Sequence, residues 1–207
     1  MGEVSGQTGW QRIARRVRVP MGFVFATLFL LLAQPSWRML AASLVLVLPG
    51  LWLRGYASGY VRKNAELTVT GPYAHTRNPL YLGSVLIAFG FAAAARSWVI
   101  LGALAALFAA IYIPTIQAEE EYLREHFADF DAYARAVPRL LPRLTGAPSQ
   151  RATAAGERGE FSLALYRKHR EYNSLIGAGA VYAALVLRLV YQSQEFLTGF
   201  SRPPWWP

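Results

Sequence analysis

The chain has 207 residues, 54% of them hydrophobic, and still carries a formal charge of +9. So many apolar residues beside so many charges must be gathered into blocks, which is the pattern of a membrane protein rather than of a soluble domain. Cysteine is absent, which excludes disulfides, thiolate nucleophiles and cysteine-ligated metals; His75, His126 and His169 lie far apart without ligand spacing, so no metal site is expected.

In chain order, residues 1–18 form a basic arm carrying Arg12, Arg15, Arg16 and Arg18. Charge-poor blocks follow at 19–37, 39–53, 78–95, 97–118 and 172–187. A helix rising 1.5 Å per residue needs about 20 residues to cross a hydrocarbon core of about 30 Å. The third and fourth blocks reach that length, while the first two are short and need snorkelling flanks such as Arg18, Arg38 and Arg54. A signal peptide is the rival reading of the first block. The run Ala33-Gln34-Pro35-Ser36-Trp37, followed at once by a second apolar block, suits a helical hairpin better than a cleavage site. The expected fold is therefore all-α and polytopic, with two transmembrane hairpins, an amphipathic helical segment and a fifth transmembrane helix. Its divisions are the arm at 1–18, a first hairpin at 19–53, a core at 54–142, a polar linker at 143–171 and an apolar carboxyl-terminal helix and tail at 172–207. The last block either spans, with Arg188 snorkelling, or lies buried against the other helices, and spanning is the preferred reading.

Orientation follows from the basic residues near the helix ends. The hairpin tips carry only Arg38 and Arg96, whereas the amino-terminal arm, the segment with Arg54, Arg62, Lys63 and Arg77, and the stretch from Glu119 to Glu171 are much richer. Both tips are expected to face away from the cytoplasm, with Trp37 and Trp98 at the headgroup level and Trp205 and Trp206 on the same side. The basic balance is then that of cytoplasmic loops, and no nucleic-acid partner is expected.

The two arms of the second hairpin are of similar length, which brings Arg77 and Asn78 near Glu119 and Glu120 at one membrane face. Asn78 is a suitable N-cap and Pro79 a suitable first helical residue. A helix start of that kind favours an anion. Pro114 is expected to bend the returning arm. Beyond it Leu123, Phe127, Phe130, Ala134 and Val137 form an amphipathic helical stripe. Gly83 and Gly90 share a helical face and permit close approach, either of a helix or of a ligand. Taken singly these residues have plain roles: Glu119, Glu120 and Glu121 as a solvated helix end, Arg77 as a basic anchor, Tyr73 and Tyr81 as interface aromatics, and His75 as a loop residue.

Together they say more. The run Gly71-Pro72-Tyr73-Ala74-His75-Thr76-Arg77-Asn78-Pro79-Leu80-Tyr81-Leu82-Gly83, then Glu119-Glu120-Glu121-Tyr122-Leu123, then Val137-Pro138-Arg139, resembles the isoprenylcysteine carboxyl methyltransferases and the related phospholipid N-methyltransferases. The resemblance covers roughly Leu67 to Pro142. Two departures stand out: Asn78 where many relatives have histidine, and Phe127-Ala128-Asp129-Phe130-Asp131-Ala132-Tyr133, one residue shorter than the usual run.

The resemblance implies S-adenosylmethionine as cofactor, held by Tyr73, His75, Arg77, Asn78, Pro79, Tyr81, Gly83, Glu119 and Glu120. It implies catalytic roles for Arg77, Glu120 and His75, and a hydrophobic or lipid-like acceptor entering sideways from the bilayer. Glu119 or Glu120 is expected on the cofactor's ammonium or ribose, with Arg77 and the helix start at Asn78 on its carboxylate. The acceptor remains open between a prenylated cysteine, an aminophospholipid, a small thiol and a hydrophobic metabolite, and with it the need for a general base. The rivals are a membrane sterol reductase, for which the chain is short, and a non-catalytic membrane binding module of the same fold.

Overall fold

The computed structural model describes residues 26–62, 66–145 and 160–197. The basic arm at 1–18, the start of the first hairpin, most of the linker and Trp205 and Trp206 lie outside the described residues. The described residues are helical, without strands: α1 (residues 26–32), α2 (Trp37–Ser58), a 3-10 turn (Gly71–Ala74), α3 (Pro79–Ala95), α4 (Trp98–His126), α5 (Phe130–Ala136), α6 (Leu163–Lys168) and α7 (Tyr172–Leu197). Three of these, α2, α4 and α7, are long and apolar enough to cross a membrane, and α3 is a shorter apolar helix of 17 residues.

Local chemistry sets the boundaries. The Ser36 hydroxyl accepts from the Met39 amide and caps α2, and the Ser97 hydroxyl does the same for Ile100 at the start of α4. Between α3 and α4 the chain turns through Arg96, which closes α3 in the left-handed region at φ 52°. Trp37 and Trp98 are exposed at the two tips. At this end the Gln34 amide donates to the Ala95 carbonyl, 2.8 Å away, tying the first connection to the second.

Packing revises the expected pairing. The closest helical contact is α2 against α3, where the glycines admit backbone to backbone: a Cβ on Gly83 would stand 2.8 Å from the Gly50 carbonyl oxygen, and one on Gly90 would stand 2.5 Å from Val47 Cγ2. The shared core holds Leu40, Val47, Phe91, Ile100 and Leu104, closed from the far side by Ala178 and Leu185 of α7. Tyr182 of α7 meets the buried Ser43 hydroxyl at 2.7 Å.

Three sequence expectations change. The second apolar block is not a short helix ending at Leu53, because α2 runs on to Ser58 and Arg54 lies within it, turned inward to Glu171 rather than snorkelling. The amphipathic stripe is not one helix: α4 ends at His126, Phe127 is extended, and α5 begins at Phe130. Its periodicity survives the break, since Phe130 and Val137 are buried and Leu123, Phe127 and Ala134 half-buried. The third apolar block falls short of the expected span, giving an α3 of 17 residues; Arg188 donates to the Leu31 carbonyl of α1 at 3.4 Å.

Candidate functional site

At the end of the bundle opposite the tips, the chain makes a 3-10 turn and then starts α3. Gly71 takes φ +58° with the Tyr60 ring against its α-carbon, a place where a side chain would be both strained and crowded. The next residues are held by the strand-like segment after α5. Arg77 donates its amide to the Pro138 carbonyl (2.9 Å), the Thr76 hydroxyl donates to the Leu140 carbonyl (3.0 Å), and the His75 carbonyl accepts from the Arg143 amide (3.0 Å).

Asn78 occupies the N-cap position, but its side chain does not cap α3; its Nδ2 donates to the Arg139 carbonyl at 2.9 Å. Pro79 stands at the first helical position as expected.

The central arrangement is an ion-pair triad. Glu120, near the end of α4 and 5% exposed, forms an ion pair with Arg77 Nη1 at 3.1 Å and accepts from Arg139 through Nε at 3.1 Å and Nη2 at 2.7 Å. Two guanidiniums around one carboxylate leave a net positive charge. That residue of charge favours a further anion. Arg77 Nε is buried and has no hydrogen-bond partner, and an unmade buried donor costs about 1–3 kcal/mol. Beside the triad, exposed Glu119 accepts from the Tyr81 hydroxyl at 3.0 Å, and the Tyr81 ring packs on Tyr112 with centroids 5.0 Å apart.

Tyrosines line the underside. The Tyr133 hydroxyl donates to the Tyr73 carbonyl at 2.8 Å. Burial pushes the Tyr73 hydroxyl well above its ordinary range, helped by the charges of Tyr133, Glu119 and Glu171. Burial also raises Tyr133, against a lowering by Arg77. Arg139 is held more firmly protonated by its hydrogen bonds to Glu120.

The structure therefore gathers Tyr73, Arg77, Asn78, Pro79, Tyr81, Glu119 and Glu120 at one end of α3 and α4. His75 is at the margin: its Nδ1 donates to the Arg143 carbonyl at 2.9 Å, so the ring is fastened to the segment after α5. Gly83, grouped by sequence with the cofactor contacts, faces the other way, filled by Arg54 Cγ and the Gly50 carbonyl. Glu120 is wholly engaged by arginines, so of the glutamate pair it is Glu119 that presents a carboxylate outward. Arg139 was within the recognised Val-Pro-Arg run yet unassigned, and its spacing alone gave no sign that it turns back on Glu120. Tyr133, Arg54 and Glu171 fall in segments that the basic residues put on one face, but no motif or spacing pairs them with the site.

One comparison bears on the class: residues 39–129, under half of the chain, match the phospholipid methyltransferase family. The match takes in α2, α3 and α4, hence Arg77, Glu119 and Glu120, and stops short of Arg139. Among named relatives, the chain is similar to a nickel-cobalt-cadmium resistance protein, NccN, of Alcaligenes xylosoxydans xylosoxydans, 40% identical over 95 residues. It is also similar to a cobalt-zinc-cadmium resistance protein, CzcN, of Cupriavidus metallidurans, 39% identical over 95 residues. These alignments take in 46% of this chain and 44% and 43% of the relatives, so the chain spans less than half the length of the proteins it matches. No solved structure matches.

Proposed function

We propose that the protein is an S-adenosylmethionine-dependent methyltransferase of the membrane, acting on a hydrophobic or lipid-like acceptor from the cytoplasmic face. The observation that carries this reading is the meeting of Arg77 and Glu120 at 3.1 Å, two motif residues far apart in sequence, beside an outward Glu119 and an unpartnered Arg77 Nε. The residues suit the cofactor's ends. Arg77 Nε and the free amides at the start of α3 match a carboxylate. Glu119, steadied by Tyr81, matches an ammonium or a ribose diol. Glu120 has the task of aiming Arg77 rather than of touching the ligand. The Tyr81 and Tyr112 rings offer faces to a sulfonium, as aromatic rings do to cations.

When bound, the cofactor supplies an electrophilic methyl group. What the protein must do is hold donor and acceptor in line and exclude water, and orientation of that kind is worth several kcal/mol of the barrier. A carboxylate acceptor needs no base, whereas an ammonium acceptor must first lose a proton. His75 or Glu119 would take it. The relatives' names speak of resistance to nickel, cobalt, zinc and cadmium, and among the described residues no cluster of metal-binding side chains accompanies the site. A methyl-transfer step within such a resistance system is therefore the reading that joins the names to these residues.

Isothermal titration of the full chain in lipid nanodiscs with S-adenosylhomocysteine and with NADPH tests the proposal. Saturable binding of the first, lost in Arg77→Ala, supports it; binding of NADPH alone supports a reductase, and binding of neither supports a non-catalytic module. Methyl-labelled cofactor added to native membranes then identifies the acceptor by the molecule that gains the label.

A further inference from the structure

The geometry points to Arg54 and Glu171, the second of which lies beyond the family match, as a positioning pair that fixes the first turn of α3, and with it the cofactor-binding residues. Its effect on the cofactor rests on the function proposed above; the contact itself does not. Glu171, in the turn between α6 and α7, receives Arg54 as a fork, Nε to Oε1 at 2.6 Å and Nη2 to Oε2 at 3.2 Å. Ser174 closes the group, donating to Glu171 Oε1 at 2.6 Å and accepting from Arg54 Nε at 3.3 Å.

The third nitrogen of the guanidinium reaches the other way. Nη1 donates to the Ser84 hydroxyl and, at 3.4 Å, to the Leu80 carbonyl, and Ser84 itself donates to the same carbonyl at 3.0 Å. One side chain of α2 thus links the first turn of α3 to the start of α7. Leu80 lies between Pro79 and Tyr81, so a shift of its carbonyl moves both. The Arg54 stem lies in the notch left by Gly83, where an added Cβ would stand 2.5 Å from Cγ, which prevents the fork from sliding along α3. Further bonds hold the α6 segment to the end of α2: the Ser162 amide donates to the Gly59 carbonyl at 2.9 Å, and His169 Nδ1 donates to the Ser58 carbonyl at 3.0 Å.

Exposed ion pairs contribute little to anything. This one is different in two respects. The side chains are 24% and 9% exposed, and the bidentate fork fixes direction as well as distance. An arginine serving only as a membrane anchor would instead extend toward water.

The experiment uses the full chain in nanodiscs and compares wild type with Glu171→Gln, Glu171→Asp and Arg54→Lys. Two readouts are taken: amide hydrogen exchange of residues 80–84, and S-adenosylhomocysteine affinity per folded molecule. Glu171→Gln should speed exchange in that turn and weaken binding about tenfold, the effect of losing one charge-assisted fork. Glu171→Asp should recover most of both, and Arg54→Lys should resemble Glu171→Gln because ammonium cannot make the fork. A merely structural pair would lower the folded fraction and leave the affinity of folded molecules unchanged; that result, or unchanged exchange at 80–84, overturns the inference. If wild type binds no S-adenosylhomocysteine, the proposed function falls, and exchange alone decides: faster exchange in Glu171→Gln upholds the positioning of α3, unchanged exchange refutes it.

Discussion

Helix α3 has two unlike neighbours. Toward α2 it presents Gly83 and Gly90, and there the backbones approach so closely that a Cβ on Gly83 would overlap the Gly50 carbonyl. Toward α4 it presents Tyr81 and Phe89, which meet Tyr112 and Phe108 with ring centroids 5.0 and 6.3 Å apart. Small residues let helices lock by main-chain contact, while rings keep them apart and can turn. The α2 side is therefore a fixed wall and the α4 side an adjustable one. The polar site lies at the end of the adjustable side, where Tyr81 and Glu119 bridge the gap at 3.0 Å. A molecule that must be admitted and released is better served there.

The largest effect should come from the triad that joins the two sides. Glu120→Ala leaves Arg77 and Arg139 facing each other without their shared carboxylate, and losing one member of a buried hydrogen-bonded pair costs about 2–5 kcal/mol. The expected loss of S-adenosylhomocysteine affinity is on the order of 100-fold or more, measured by titration calorimetry on inserted, folded protein. Arg77→Ala should match it. Equal affinity in both variants and wild type would show that the ligand, if any, sits elsewhere.

The fixed wall is tested next, by stability rather than by binding. Gly50→Ala and Gly83→Ala each drive a methyl group against backbone, and overpacking of this kind costs about 1–3 kcal/mol. Thermal unfolding in detergent should fall clearly for both. Gly102→Ala and Gly177→Ala are the controls, because nothing lies within 4 Å of either new carbon; a helix-propensity gain of up to about 1 kcal/mol is expected there. Four equal shifts would mean that α2 and α3 are not locked as described.

These two walls were not equally legible beforehand. The motif residues of the site, Arg77 with Glu119 and Glu120, could be placed together because two apolar arms of matched length leave little freedom in where their ends meet. The partners that complete it could not. Arg139 returns to Glu120 because Asn78, Thr76 and Arg77 hold segment 138–140 by its carbonyls, and main-chain acceptors leave no trace in the side-chain pattern of the segment that carries them. Gly83 showed that something approaches closely, yet periodicity cannot tell a helix from a ligand as the thing that approaches. Arg54 misled for a related reason: an arginine at the end of an apolar run reads as a boundary, and only the distant Glu171 makes it interior.

A smaller effect belongs to the adjustable side. Tyr81→Phe keeps the ring against Tyr112 and removes only the hydroxyl that steadies Glu119. A neutral-to-charged hydrogen bond of this exposure is worth about 1 kcal/mol, so affinity for S-adenosylhomocysteine should drop about fivefold with unfolding temperature unchanged. A drop in stability instead would make the bond part of the fixed framework.

The smallest effect is seen only in alkali. Tyr73 and Tyr133 both hold their protons more tightly when folded than the ordinary phenol value of 10.0, chiefly because burial disfavours the charged form. Below that value both the folded and unfolded chains keep the protons, so the contribution to stability is fully present. Above it the unfolded chain ionises first, and stability is lost progressively as pH rises toward the higher folded values. Tyr133→Phe removes one such titrating group and the bond to the Tyr73 carbonyl. It should therefore cost about 1 kcal/mol at neutral pH and then lose less than wild type on going from about pH 9 to about pH 11. Denaturant unfolding at a series of pH values measures both. Parallel curves for the two proteins would mean that Tyr133 ionises as freely in the folded chain as in the unfolded one, and that water reaches the underside of the site from which these contacts exclude it.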